Sequence, residues 1–155
     1  MKKNDIIILY HIDLEVYKKV KTKNYHHFSK SEITEKMLWG EVIILNEDKT
    51  LFSFEADLLK LFILFTNNLR KISFNEEQNN EIFSVYNDYH FSFKRYDQEY
   101  VNIIFNQQKK SLFNIKKLLH ITENIKHKLL TDFKILYPDY QQLKNFDYLT
   151  SKINE

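Results

Sequence analysis

Residues 82–105, IFSVYNDYHFSFKRYDQEYVNIIF, decide the fold class. Tyr89, Phe91 and Phe93 fall on one set of alternate positions, and His90, Ser92 and Lys94 fall on the other. Val101, Ile103 and Phe105 continue the apolar set. A period of two with one wet side marks half-buried antiparallel strands. Asn87-Asp88 and Asp97-Gln98 interrupt the alternation as short hairpin signals. The segment predicts a meander with strands over 82–87, 89–96 and 100–105.

Toward the N-terminus, polar residues 75–80 predict a loop, and before it the period changes. Over 56–72, Asp57, Lys60, Asn67, Asn68 and Lys71 form a narrow polar stripe on a helical wheel, and Leu, Ile and Phe fill most of the rest. So narrow a stripe predicts a helix buried on most sides. The apolar run 38–45, the turn signal Asn46-Glu47-Asp48-Lys49 and the segment 50–54 predict a hairpin. Tyr10, Ile12, Leu14 and Val16 alternate with His11, Asp13, Glu15 and Tyr17, which predicts a strand over about 5–17. Between them, residues 21–37 fit either a short helix over 31–37 or an irregular strand, and Ser29-x-x-Glu32 resembles a capping box.

Toward the C-terminus, Ile115, Leu118, Thr122, Ile125, Leu129, Phe133 and Leu136 make a stripe that predicts a helix over about 112–137. Tyr137-Pro138 breaks it, and Pro138 suits the first turn of a final helix over 139–153. The order predicts an α+β fold in a single domain, 1–155. Its expected form is one antiparallel sheet of five to six strands against a buried central helix and a long C-terminal helical region.

Composition removes whole classes of function. With no cysteine among 155 residues there is no thiolate nucleophile, disulfide or cysteine zinc site. One glycine and one proline leave no material for a glycine-rich phosphate loop or a nucleophile elbow. The net charge of +2 is too small to imply nucleic acid. Lys2-Lys3 before Ile6 mimics the start of a signal peptide, but Asp5, His11, Asp13 and Glu15 bound the apolar run. Leu58–Phe65, interrupted by Lys60, falls short of the roughly 20 residues needed to cross a bilayer. The expected location is the cytoplasm, with no membrane contact.

Few constellations carry chemistry. His120, Glu123 and His127 share a helix face at ligand spacing, but Lys116, Asn124, Thr131 and Lys134 share it too, and a solvated lysine-lined face lacks the supporting shell a metal needs. His11, Asp13 and Glu15 read as the wet side of a strand. No nucleophile, acid–base pair or cofactor motif assembles, so a non-enzymatic protein without cofactor is expected. Tyr25, His26, His27, Tyr96 and Tyr100, in or beside loops, are the expected contacts to a protein partner. The alternative is a nucleic-acid-associated regulator using the lysines of 109–134, although only Arg70 and Arg95 supply arginine.

Taken in order, Trp39-Gly40-Glu41-Val42-Ile43-Ile44-Leu45, Leu51-Phe52-Ser53-Phe54, Tyr89-His90-Phe91-Ser92-Phe93 and Leu136-Tyr137-Pro138-Asp139-Tyr140 resemble small bacterial immunity-type proteins of toxin–immunity loci, over about residues 38–140. The resemblance implies a cognate toxin as partner, neutralised by steric occlusion. It transfers no contact residue, because such families diverge where they meet each toxin.

Overall fold

Phe91 lies at the centre of the core, fully buried and within ring-contact distance of Phe52, Phe54, Phe65 and Phe105. These rings come from four different elements. A computed structural model describes residues 6–46, 49–74, 79–83 and 89–155. Strand β1 (Ile6–Ile12) leads into helix α1 (Leu14–Lys21), a 3-10 turn (Tyr25–His27) and helix α2 (Lys30–Glu35). Strands β2 (Trp39–Asn46) and β3 (Lys49–Asp57) precede helix α3 (Leu58–Ser73). Strands β4 (Asn79–Phe83), β5 (His90–Arg95), β6 (Tyr100–Phe105) and β7 (Lys109–Asn114) follow. Helix α4 (Ile115–Leu136), a second 3-10 turn (Tyr140–Gln142) and helix α5 (Phe146–Ile153) complete the order.

The α+β class holds, but the single sheet of five to six strands is replaced by two antiparallel sheets, β1-β2-β3 and β4-β5-β6-β7. Phe52 and Phe54 of β3 meet Phe91, Phe105 and Phe113 of the second sheet, so the two apolar faces share one core instead of one ladder. Helix α3 seals it with ten buried residues. The meander expected over 89–105 is present, with Phe91 opposite Phe105 and Phe93 opposite Ile103. Of the strand expected over 82–87, residues 84–87 lie outside the described ones, as do 75–78 of the expected loop, whose residues 79–80 instead begin β4.

Three further expectations are corrected. The strand expected over 5–17 ends at Ile12, because Asp13 caps α1 by accepting from the backbone N–H of Glu15 and Val16 at 3.0 and 3.1 Å. A side-chain cap satisfies donors that a helix start otherwise orphans. The helix expected from 112 begins at Ile115, since residues 109–114 pair with β6 as the edge strand β7. The helix expected over 139–153 is a 3-10 turn and then α5, which starts only at Phe146. In the ambiguous segment 21–37 the capping box is real: Ser29 Oγ accepts from Glu32 N–H at 3.2 Å and Glu32 Oε1 accepts from Ser29 N–H at 3.1 Å.

The only glycine in the chain, Gly40, sits on β2 opposite Ile12, and a Cβ there would lie 2.1 Å from the His11 carbonyl oxygen. Among the described residues no helix is long and apolar enough to cross a membrane.

Candidate functional site

The sheet β1-β2-β3 has one face in the core and one outside. Ile8, Tyr10 and Ile12 align with Ile44, Val42 and Gly40 on the inner face. The rows between them point outward. Ile7 stands beside Leu45 and Leu9 beside Ile43, with Ile7 45% and Leu9 50% exposed. β1 is also an outer strand, paired only with β2 among the described residues. A long aliphatic edge strand usually carries lysine, proline or a bulge to prevent pairing, and Ile6–Ile12 has none of these.

The aliphatic rows end in an acidic corner. His11, Glu41 and Glu55 form one cross-strand row, all exposed, and with Asp13, Leu14 and Glu15 they line a hollow of about 420 Å³. Glu41 and Glu55 lie directly opposite each other, a like-charge arrangement that destabilises a sheet. Leu14, 53% exposed, continues the aliphatic surface into this corner. No group of three or more His, Cys, Asp or Glu among the described residues is placed to hold a metal ion.

The five expected contact residues divide into two distant groups. Tyr25 is buried, and its hydroxyl donates to Asp139 Oδ2 at 2.7 Å. His26 stacks on Tyr25 at 4.4 Å and bonds the same carboxylate oxygen through Nε2. The Tyr25 hydrogen bond, with help from His26, holds the Asp139 carboxyl below its usual range. Burial pushes the Tyr25 phenol up. Lys21 Nζ lies 5.4 Å from the Tyr25 and Tyr137 ring centres, which closes this cluster. His27 is exposed beside it.

Tyr96 and Tyr100 occupy the β5–β6 hairpin, where Asp97 Oδ1 accepts from the backbone N–H of Glu99 and Tyr100, both at 2.8 Å. The Glu99 carbonyl accepts from Ile115 N–H at 2.8 Å, so this hairpin abuts the start of α4, whereas Tyr25 and His26 adjoin its end. At 1.5 Å per residue the 22-residue α4 spans about 33 Å between the two groups. That is about the full width of one standard contact patch of about 800 Å².

The lysines of 109–134 also separate. Lys109 and Lys110 lie on β7, and Lys109 Nζ donates to the Leu51 carbonyl at 3.2 Å. Lys126 is buried beside Glu123, Lys128 lies over Tyr10, and Lys134 lies over Tyr140. Glu123 also pairs with Arg70, and His120 is hydrogen-bonded with Asn124.

Ile7, Leu9, Leu14, Glu41 and Glu55 were not among the expected contacts. The signal was present in β1, where both alternate sets are apolar although only one can face the core. Comparison with known protein families, with curated proteins and with solved structures returns no match.

Proposed function

We propose that this chain is a non-enzymatic protein-binding module, an immunity-type protein that neutralises a cognate bacterial toxin by covering its working surface. The carrying observation is the outward aliphatic face of β1 and β2 at an open sheet edge, bordered by the carboxylates of Asp13, Glu15, Glu41 and Glu55. An open edge supplies main-chain hydrogen bonds, and alternate side chains supply selectivity. The acidic border fits a partner whose contact surface is apolar at its centre and basic at its rim, and such charge steers encounter.

The test is protection and binding together. Each protein encoded beside this chain in its genome is expressed alone and then with it, and growth and complex formation are measured. The reading expects one toxic neighbour, rescued by the chain in a stoichiometric complex. Leu9→Glu and Glu41→Lys, with unchanged circular dichroism, lose both rescue and complex, while Tyr96→Ala keeps them. Absence of a toxic neighbour, or full rescue by Leu9→Glu, overturns the proposal.

A further inference from the structure

A second surface lies on α1 and is independent of the sheet face. Val16, Lys19 and Val20 stand at i, i+3 and i+4, one face of α1, and Lys23 follows two residues past its end. With Phe28 and Trp39 they line a cleft of about 520 Å³. Clefts of roughly 300–1,000 Å³ with mostly apolar walls and a few converging polar groups are the usual shape of small-molecule sites.

The charges on this cleft are not balanced. Its carboxylate, Glu35, is neutralised by Lys60 Nζ at 2.9 Å, and Lys36 is paired with Glu32 at 3.3 Å. Lys19 and Lys23 have no ion-pair partner among the described residues, and both line this cleft, Lys19 from α1 and Lys23 from just past its end, where like charges repel. An anion placed between them relieves that repulsion. Inorganic phosphate alone would leave the half-buried Trp39, Phe28 and Val16 in contact with water. A neutral apolar ligand would leave both ammonium groups unmatched.

We infer that the cleft between α1 and Trp39 binds a small amphipathic anion, its apolar body against Trp39 and Phe28 and its carboxylate between Lys19 and Lys23. The site makes the chain a receptor for a soluble organic acid as well as a partner for a protein.

Trp39 is the only tryptophan, so its selectively excited fluorescence reports the cleft directly. The full chain is titrated with 4-phenylbutyrate, with 4-phenylbutanol as the uncharged match, and with inorganic phosphate. Saturable change is expected with the acid, and binding of the alcohol and of phosphate is expected to be weaker by about tenfold or more. The double variant Lys19→Glu, Lys23→Glu, with an unchanged urea midpoint, is expected to bind the acid about tenfold more weakly, from two exposed ion pairs each worth up to about fivefold. Lys109→Glu, on the distant strand β7, is expected to bind as the parent does. No saturable response to the acid, equal response to acid and alcohol, or undiminished binding by the double variant overturns the assignment. None of these outcomes depends on whether a toxin partner exists.

Discussion

Replacing Asp57 by asparagine should change how stability depends on pH. Asp57 precedes α3 with no exposure to solvent. Its Oδ1 accepts the Tyr89 hydroxyl at 2.7 Å, and its Oδ2 has no hydrogen-bond partner. Burial raises its pKa from 3.8 to about 6, against the opposing pull of the Tyr89 hydrogen bond and the Lys60 charge. The folded state therefore holds this proton more tightly than the unfolded chain does. Its stabilising contribution is complete below about pH 4 and is lost as pH rises through about 6. From 3.8 to about 6, at about 1.36 kcal/mol per pKa unit, the loss comes to about 3 kcal/mol. Asparagine is neutral throughout and keeps an acceptor for Tyr89. Near pH 3.5 the variant should match the parent closely. Near pH 8 it should be more stable by about 3 kcal/mol, or roughly 10 °C in Tm at this chain length. Asp139 and Glu32 are held below their usual ranges, Asp139 chiefly by Tyr25 and Glu32 chiefly by the Ser29 backbone N–H, and so act in more acid solution. They are common to both proteins and cancel in the difference. Calorimetric scans of both proteins across this range supply the test. Parallel stability curves for parent and variant would mean that Asp57 is not a desolvated acid, and the argument would fail.

Two other substitutions test the packing. Gly40→Ala puts a methyl group against the His11 backbone, where a paired strand cannot yield, and should cost about 3 kcal/mol or more. A urea midpoint unchanged by it would refute the β1–β2 register. Lys126→Met removes an ammonium that is 1% exposed, has no hydrogen bond and sits 3.6 Å from Glu123; burial is the main cause of its lowered pKa. Glu123 keeps Arg70, so urea unfolding should show the variant unchanged or more stable by about 1 kcal/mol. A loss of more than about 2 kcal/mol would show that the amine is paired after all.

The parts of the fold that were legible are those whose signal is local. The narrow polar stripe of α3, the alternation of β5 and β6, and the Ser29–Glu32 capping box each lie within one element. Alternation misled at Asp13, because the first turn of α1 continues the apolar spacing of β1 by coincidence and only the cap marks the change. β7 was hidden because an edge strand carrying Lys109, Lys110 and Ser111 has a polar beginning and then leads straight into α4. The split into two sheets rests on which strands do not pair: each ladder joins consecutive strands and stops at α3, between β3 and β4, and periodicity does not contain that stop. The same limit applies to the surfaces. Glu41 and Glu55 become neighbours of His11 only through register, and the helical spacing of Val16, Lys19 and Val20 is masked by the strand-like alternation that runs into it.

The connector between β1 and β2 takes four clasps from the far end of the sequence. His26 offers its carbonyl to Lys144 N–H, Phe28 its carbonyl to Asn145 Nδ2, and Met37 its carbonyl to the Tyr137 hydroxyl, while Tyr25 reaches Asp139. Each clasp joins residues 100 or more positions apart. On a ribosome, where chains grow from the N-terminus, Tyr25, His26, Phe28 and Met37 must wait for 137–145 before these four partners exist. The meander can form earlier from contacts within its own short span, so the order of synthesis divides this chain into an early half and a late latch. The late closure falls on α1 and α2, the two helices beside Trp39, so a nascent chain stalled before Tyr137 carries a core without a finished cleft.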